Sequence, residues 1–296
     1  MNWKLFDAIT PILVQGIMGK EGSRMTRWLI ASGINVACGV EPGQAGQEIE
    51  GRPVYPTVAV AKSYHPNLEV TSIVVPPRFA IDAVREAVLA GIKYVHLLTE
   101  RVPTHDVLAM RDVAASHGAV ILGPSSVGYL QFPAFRLGYL GGELPFTVLQ
   151  EGSVGIVSTS GGMTNELMMS LSRNGIGVKT AMALGGDRVV GLTLEQAIRW
   201  NESLDRVKSL ALFVEPGRPL LRSLADGSFT FTKPTVVFLA GEALDGLPRG
   251  LPYGHTGTVL GEDDRSVRET RKLLHTRGIT CVGTMSDFLE ACKWHA

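Results

Sequence analysis

Short apolar runs alternate with stretches of helical periodicity along the first half of the chain. The runs PILVQG, INVACGV, SIVVPP, YVHLLTE and AVILGPSS predict buried strands. Helices are predicted between them over residues 23–32, 81–90 and 104–117. Because strands that recur about every 30 residues with helices between them form βαβ units, this pattern predicts an α/β fold with a mainly parallel sheet.

The alternation lapses over residues 129–151, which contain prolines, glycines and many aromatic residues and predict a packed connection between domains. It then returns. Further strands are predicted at SVGIVST, VKTAMALGG, SLALFVEPG, PTVVFLAGE and ITCVGT, and helices over residues 164–174 and 263–275 and at SDFLEACKW. The acids at 263 and 264 are expected to cap their helix. Residues 218–233 show no pattern that assigns them to an element, but the rest predicts a second open parallel sheet.

The charge composition narrows the classes of partner. Lys and Arg number 28, as do Asp and Glu, so the chain has no net charge that would favour nucleic acid or an anionic membrane. No run of about 18 apolar residues is present that would span a bilayer. The first residues, MNWKLFDAIT, lack the apolar core of a signal peptide. We therefore expect a cytoplasmic protein with no membrane or nucleic-acid partner.

The cysteines and most histidines predict no metal site. Cys38, Cys281 and Cys292 have neither metal-ligand spacing nor the pattern of a disulfide framework, which favours a reducing compartment. Cys38 falls within a predicted strand and is expected to be buried rather than reactive. Six histidines share no spacing with carboxylates or cysteines and are expected to be surface or strand residues: 65, 96, 105, 117, 275 and 295.

A glycine-rich stretch, GIMGKEG, follows the first predicted strand and precedes a predicted helix. Glycines there let the backbone approach a phosphate, and the following helix N-terminus presents N–H groups to it. The spacing G-x-x-G-x-x-G differs from the G-x-G-x-x-G of dinucleotide sites, although Glu41 stands where an acid would bind a ribose. A phosphate loop, a nicotinamide site and a tight structural turn all remain open at this point.

Several stretches together resemble the alpha subunit of succinyl-CoA synthetase, in the order in which that family has them. They span nearly the whole chain: GIMGKEG, GVEPGQAGQEIEGRPVYPTV, VVPPRFAIDAVREAVLAGIKYVHLLTERVP, ILGPSSVG, VGIVSTSGGMTNEL, ALGGDRVVG, FVEPG and YGHTG. The resemblance implies a Rossmann-like CoA-binding domain over residues 1–128, a connection over 129–151 and a flavodoxin-like ligase domain over 152–296. The phosphates at GIMGKEG would then be those of coenzyme A.

The resemblance also implies which residues line the CoA site. They are Gly16, Gly19, Lys20, Glu21, Gly22, Gln44, Val75, Pro76, Pro77, Thr99, Glu100 and Ser125. Gln44 stands where the family often has a lysine, and a neutral amide offers no charge to a phosphate. Two outcomes are therefore open: a weaker affinity for CoA, or compensation by another cation, Lys20 or Arg24. Ser125 and Ser126 stand where succinate enzymes commonly have Asn and Cys.

His255, in the turn YGHTG, is the expected catalytic residue. By itself, a histidine in a glycine-rich turn is typical of a protein surface, but the resemblance implies that it carries a phosphoryl group. Glu215 is implied as the carboxylate that fixes its tautomer. The family's G-E-I-G-G is V-E-P-G-R here, so Pro216 stiffens the turn and Arg218 adds a charge. Residues expected to cradle phosphate or carboxylate are Ser158, Ser160, Gly161, Gly162, Thr164, Asn165 and Gly186.

The implied activity is that of an alpha-type subunit of an acid–CoA ligase, which forms acyl-CoA, a nucleoside diphosphate and phosphate. ATP or GTP with Mg²⁺ would bind an ATP-grasp partner of beta type, since both halves of this chain are already assigned. The acid would be succinate, malate or citrate. The stretches SGGMTNEL and GGDR resemble those of citryl-CoA synthetase and ATP-citrate lyase more than those of succinate enzymes. They therefore favour an acid bulkier than succinate. The alternative is a regulatory CoA-binding paralogue that has lost catalysis.

Overall fold

The computed structural model describes residues 3–251, 255 and 258–293. They form two compact units. Unit 1 runs to Val148 and includes Ala183–Gly185 and Val189–Leu192, while unit 2 holds Leu149–Met182, Gly186–Arg188 and the chain from Thr193 onward. Each unit is built on mainly parallel strands with helices between them, as the alternation of apolar runs predicts.

Unit 1 contains a sheet whose strands lie in the order β3-β4-β2-β1-β5-β6-β7. Its strands are β1 Ile12–Gln15, β2 Val36–Val40, β3 Glu48–Ile49, β4 Arg52–Tyr55, β5 Val70–Ile73, β6 Tyr94–Leu97 and β7 Val120–Leu122. The short β3 is antiparallel to β4, and the pairs among β4, β2, β1, β5, β6 and β7 are parallel. The strand order reverses between β1 and β5, the position where open α/β sheets bind ligands.

Helices of unit 1 cover the sheet, and their buried sides are aliphatic. They are α1 Lys20–Ala31, α2 Val58–Tyr64, α3 Ala80–Leu89, which a 3-10 turn at Pro77–Phe79 precedes, and α4 Thr104–Ser116. Strands β1 and β5 are buried along their whole length because helices cover both faces of a parallel sheet. The core joins strand residues to helix residues, among them Leu13, Ile73, Leu97, Ala61, Val84 and Met110.

A β-hairpin occupies the stretch in which the sequence predicts only a connection. Its strands are β8 Gly128–Gln131 and β9 Phe135–Gly138, and a short helix, α5 Pro145–Val148, follows. The apolar residues here are buried against the N-terminal segment, with the rings of Phe6 and Phe135 stacked at a centroid distance of 4.5 Å. The buried Arg136 donates to the Leu140 carbonyl at 3.2 Å, and burial lowers its pKa to about 10.

Strands of unit 2 lie in the order β14-β13-β12-β10-β11. They are β10 Glu151–Ser158, β11 Val178–Ala183, β12 Ser209–Val214, β13 Thr235–Leu239 and β14 Thr280–Val282, and β12 is parallel to both β10 and β13. The helices are α6 Gly161–Arg173, α7 Leu194–Glu202, α8 Pro219–Asp226, α9 Val267–Thr276 and α10 Met285–Lys293, with a 3-10 helix at Glu242–Gly246.

Three helices of unit 2 differ from the sequence prediction. Helix α7 was not predicted, and α8 lies in the stretch that no pattern assigns. Helix α9 begins at Val267, later than predicted, and its cap is Ser266 in a capping box with Glu269. The expectation of an acidic cap at Asp263 or Asp264 is wrong, because the Asp264 carboxylate instead accepts from Gly261 N at 2.8 Å and from Arg222.

Two properties of the described residues bear on binding. None of their helices is long and apolar enough to cross a bilayer. Among these same residues no group of three or more histidine, cysteine or acidic side chains is placed to hold a metal ion.

Cys38 is fully buried, as expected, and burial raises the pKa of its thiol to about 12, which keeps it protonated and unreactive.

Candidate active site

The residues predicted for the CoA site follow strands whose carboxyl ends share one edge of the unit 1 sheet. Gly16 follows β1, Gln44 follows β2, Pro76 follows β5, Thr99 follows β6 and Ser125 follows β7. Because these strands are parallel, their carboxyl ends lie side by side. The strand order therefore assembles residues that are far apart in the sequence around the reversal between β1 and β5.

The glycine loop is tightly packed against its own backbone. Gly16 has φ of +80°, and a Cβ on it would clash with the carbonyl oxygen of Val74. Gly22 lies in the first turns of α1, and a Cβ there would clash with the carbonyl oxygen of Gly16. Helix α1 begins at Lys20 and has no side-chain cap at Gly19. Its first N–H groups are therefore available to an anion, and the glycines let the loop pack this closely against the helix.

The cations around this loop are not equivalent. Arg24 donates to the Glu21 carboxylate at 2.6 Å, and its guanidinium lies 4.9 Å from the ring centroid of Tyr139. Glu21 also accepts from the Tyr139 hydroxyl, at 3.2 Å. Lys20 is exposed at the first position of the helix, and Gln44 is exposed in its turn with its side chain accepting from Gln47. Of the two cations that the sequence offers in place of a lysine at 44, Lys20 is the better placed.

Hydrogen bonds tie the remaining strand ends to one another. The hydroxyl of Thr99 donates to Val75 O at 2.8 Å, and Ser125 N donates to Thr99 O at 2.9 Å. Pro76 and Glu100 are exposed at the same edge, and Pro77 is half-buried. The segments after β5, β6 and β7 are thus held in a fixed arrangement.

His96 on β6 supports this edge of the sheet from within. It is fully buried, and its Nε2 lies 2.9 Å from Ser126 O while its Nδ1 lies 3.0 Å from Ser72 Oγ. Since a carbonyl only accepts, Nε2 carries the proton and Nδ1 accepts from the serine. Burial lowers the pKa of His96 to about 4, so the ring is neutral. The sequence predicts a strand residue here but not this anchor.

In unit 2, His255 is hydrogen-bonded to Glu215. Nδ1 of the imidazole lies 2.7 Å from Oε1 of the carboxylate, which directly follows β12. The Glu215 side chain is only 12% exposed, whereas that of His255 is 44% exposed. A carboxylate that accepts from Nδ1–H leaves Nε2 of a neutral imidazole unprotonated and able to act as a nucleophile.

The second oxygen of Glu215 is held by two further side chains. Arg218 Nη2 and Thr159 Oγ1 both lie 3.2 Å from Oε2. Arg218 also donates to Asp187 O at 2.7 Å and to Gly186 O at 3.0 Å, and its side chain is only 7% exposed. Thr159 is not among the residues that the sequence predicts for the site, and for Arg218 the sequence predicts an added charge but no partner.

Gly186 lies against the histidine ring. A Cβ built on it would be 2.5 Å from Cγ and 2.7 Å from Cδ2 of His255. Any larger residue would have to displace the imidazole. The contact explains why a glycine stands at this position, which the sequence assigns instead to phosphate or carboxylate binding.

The predicted phosphate turn begins helix α6. Thr159 N donates to Phe213 O at 3.2 Å, which places the end of β10 beside the end of β12 and so beside Glu215. The hydroxyls are engaged within the turn: Ser158 donates to Ser160 O at 2.9 Å, Thr164 donates to the same oxygen at 2.6 Å, and Ser160 caps Met163 N. Backbone N–H groups at Gly161 and Gly162, rather than hydroxyls, are therefore the groups open to an anion. Asn165 is half-buried in the first turns of α6.

Two family models match the chain, one in each half. Residues 7–101 match the family described as "CoA binding domain", and residues 151–295 match "Succinyl-CoA ligase like flavodoxin domain". The two units thus define a protein with a CoA-binding domain followed by a ligase domain.

Individual relatives cover almost the entire chain. A subunit of the ADP-forming sulfoacetate–CoA ligase of an Acholeplasma species is 32% identical over 274 residues, 92% of this chain and 91% of the relative. The succinate–CoA ligase alpha subunit 2 of Archaeoglobus fulgidus is 34% identical over 286 residues, 97% of each chain. The chain belongs to the family of alpha subunits of ADP-forming acid–CoA ligases.

A solved structure shows the same fold over almost all of this chain. ATP citrate lyase from Methanothrix soehngenii, solved with citrate and coenzyme A, is similar with a TM-score of 0.87 and 25% identity over 98% of this chain. This chain spans half the length of that lyase. The likeness agrees with the resemblance to citryl-CoA synthetase and ATP-citrate lyase that the sequence motifs indicate.

Proposed function

We propose that this chain carries a phosphoryl group on His255 while it joins a carboxylic acid to coenzyme A. The observation that supports the proposal is the 2.7 Å contact between His255 Nδ1 and Glu215 Oε1. The contact fixes the tautomer in which Nε2 is the nucleophile. Nε2 forms a bond to phosphorus as the bond from phosphorus to the nucleotide oxygen breaks, and the phosphoryl group then passes to the carboxylate of the acid.

In this proposal the residues after β10 and β12 stabilise the negative charge of that phosphoryl group. Helix α6 has thirteen residues, and its N-terminal N–H groups and dipole favour an anion. The Ser160 cap and the buried Ser158 and Thr164 hold the turn rigid, so Gly161 and Gly162 present their N–H groups without reorganisation.

Coenzyme A fits the residues at the sheet edge of unit 1. Helix α1 starts uncapped at Lys20, and the space next to Gly16 and Gly22 is closed to any side chain there. We propose that this loop and Lys20 hold the phosphates and that Val75, Pro77 and Thr99 line the rest. When bound, coenzyme A supplies the thiol that accepts the acyl group.

The acid and the nucleotide belong to the same proposal. We infer that ATP or GTP with Mg²⁺ binds an ATP-grasp partner of beta type. Relatives named as succinate–CoA and sulfoacetate–CoA ligases and the likeness to an ATP citrate lyase support a small acid with a second anionic group. A panel of succinate, malate, citrate and sulfoacetate tests this class, and citrate-like acids remain our preference because of Asn165 and the GGDR loop.

A regulatory CoA-binding role is the second candidate. Three departures from the family pattern favour it: the neutral Gln44, the serine at 125 in place of the asparagine of succinate enzymes, and the stretch V-E-P-G-R. The intact pair of His255 and Glu215 favours catalysis, because a protein without phosphoryl transfer has no need of a fixed imidazole tautomer.

Two measurements on the purified chain test the proposal. Calorimetric titration should show micromolar binding of CoA and none of NADH, since the glycine spacing differs from that of dinucleotide sites. Phosphoramidate, a small phosphoryl donor that requires no partner, should label His255, and His255→Asn should abolish the label at that peptide. If the chain binds CoA but phosphoramidate does not label His255, the result would indicate the regulatory role. NADH binding without CoA binding would overturn the assignment of unit 1.

A further inference from the structure

We propose that Arg218 is a positioning residue that fixes Glu215 on Nδ1 of His255 and thereby decides which imidazole nitrogen is phosphorylated. This inference rests on the proposed phosphoryl transfer at His255. It concerns a residue that the comparison of motifs marks as a departure, because the family pattern G-E-I-G-G has no arginine at this position.

The two oxygens of Glu215 have different partners. Oε1 accepts from His255, while Oε2 lies 3.2 Å from Arg218 Nη2 and 3.2 Å from Thr159 Oγ1. A carboxylate held on one oxygen only can rotate and present either oxygen in several orientations. Held on Oε2 by a charge-assisted bond, it keeps Oε1 directed to the histidine.

Arg218 also controls the other neighbour of the imidazole. Its two terminal nitrogens donate to Asp187 O at 2.7 Å and to Gly186 O at 3.0 Å. Gly186 is the residue whose Cα approaches the His255 ring so closely that a Cβ would lie 2.5 Å from Cγ. One guanidinium therefore anchors both the carboxylate on Nδ1 and the backbone segment that packs against the ring.

Burial makes this arrangement rigid. The side chains of Arg218 and Glu215 are 7% and 12% exposed, whereas Arg222, one turn further along α8, is 68% exposed in its pair with Asp264. A buried ion pair is worth little as a source of net stability, but removing one partner leaves the other charge uncompensated. Arg218 is thus suited to fixing orientation.

The chemical consequence concerns the choice between Nε2 and Nδ1. With Nδ1–H donated to Glu215, the Nε2 lone pair attacks phosphorus of phosphoramidate. The N–P bond to the leaving nitrogen breaks, ammonia departs with the proton it already carries, and the Nδ1 proton stays in the hydrogen bond with Glu215. Without Arg218 the carboxylate is less constrained, the other tautomer becomes accessible, and Nδ1 also attacks.

The test compares Arg218→Gln, Arg218→Lys and the matched control Arg222→Gln. Each is labelled with phosphoramidate, and the rate and the ratio of Nε2- to Nδ1-phosphohistidine at His255 are measured by mass spectrometry and phosphorus NMR. We expect Nε2 product from the wild type and from R222Q, and a rate at least about tenfold lower with mixed isomers from R218Q. R218K should also show mixed isomers, because an ammonium cannot bond the carboxylate and both carbonyls in the same planar geometry.

A second comparison separates action through Glu215 from a general structural role. In a Glu215→Gln background, adding R218Q should change the rate by less than about twofold, since residues that act as a unit are not additive. Full additivity would overturn the inference, as would wild-type rate and isomer ratio in R218Q. If R218Q fails to fold, as judged by circular dichroism, R218K with wild-type rate and ratio overturns it. Absence of label on wild-type His255 would instead contradict the proposed function itself.

Discussion

Gly186 shows how a single methyl group would bear on the proposed chemistry. Gly186→Ala should push the His255 ring away from Glu215. The new Cβ would lie 2.5 Å from Cγ of the ring, and the backbone at Gly186 is anchored, so the ring has to move. We expect the rate of phosphoramidate labelling at His255 to fall at least about tenfold, with a stability loss of about 1–3 kcal/mol.

The matched control is Gly246→Ala, where a Cβ meets nothing within 4 Å and φ is not in the left-handed region. It should label like the wild type. Unchanged labelling in G186A would show that the imidazole has room to move without losing its partner.

His96 predicts a pH dependence of stability. Its pKa is about 4 when folded and about 6.5 in the unfolded chain, so the unfolded state binds more protons between those values. Stability therefore rises with pH across this window. The contribution of His96 to stability is fully present above pH 6.5, and about 3 kcal/mol of it is lost as the pH falls through 4.

Urea unfolding measured from pH 7 to pH 4 checks this, with His96→Gln as the comparison. The variant should lose stability at pH 7, where the ring bridges Ser72 and Ser126, and should show a shallower slope. Equal slopes in the two proteins would mean that other groups carry the pH dependence.

At the scale of elements, helix α1 illustrates how packing decides a binding loop. Gly22→Ala would force α1 away from Gly16, whose carbonyl oxygen occupies the space of the new methyl group. CoA affinity should fall by at least about tenfold, since the helix N-terminus and the loop then lose their relative placement. Titration calorimetry measures it. Arg27→Ala, on the exposed side of the same helix, should bind CoA normally, and equal affinities in both variants would contradict the assignment of the loop.

Helix α9 offers a test of a cap that the sequence placed elsewhere. Ser266 accepts from Glu269 N at 3.2 Å, and the Glu269 carboxylate accepts from Ser266 N at 2.9 Å. Ser266→Ala should cost about 1 kcal/mol of unfolding free energy, as loss of an N-cap generally does. Ser266→Asp should restore most of it in chemical denaturation. Asp263→Ala should have almost no effect on the free energy of unfolding. A larger loss in that variant would indicate that the acidic residues cap the helix.

At the scale of the whole molecule, the proposed partner makes a direct prediction. With ATP, Mg²⁺, CoA and the panel of acids, the purified chain alone should form no acyl-CoA at a substantial rate, because both of its units are already accounted for. Addition of a beta-type subunit should produce it, and the His255→Asn variant should not. Chromatography measures the acyl-CoA formed. Substantial formation of this ester by the chain alone would refute the need for a partner.

The sequence by itself determined the two α/β units and the order of their sites. Apolar runs are enough to predict parallel strands, because strands buried on both faces are continuously hydrophobic. The glycines of GIMGKEG were enough to indicate a phosphate loop as one reading, whereas Glu215 and His255 were selected through the resemblance of the ordered motifs to a known family, because a histidine in a glycine-rich turn is by itself typical of a surface.

The tertiary structure alone decided which side chains meet. The hairpin β8–β9 forms because its aromatic residues pack on Trp3 and Phe6, more than 100 positions earlier, a contact that no local pattern reveals. Thr159 meets Glu215 because β10 and β12 are neighbours in the sheet. Arg218 joins Glu215 to the Gly186 backbone, which lies against the His255 ring although the two residues are far apart in the sequence. His96 is an anchor rather than an ordinary strand residue because burial removes its charge. Strand adjacency and desolvation are properties of the folded chain, and they govern the chemistry of these residues.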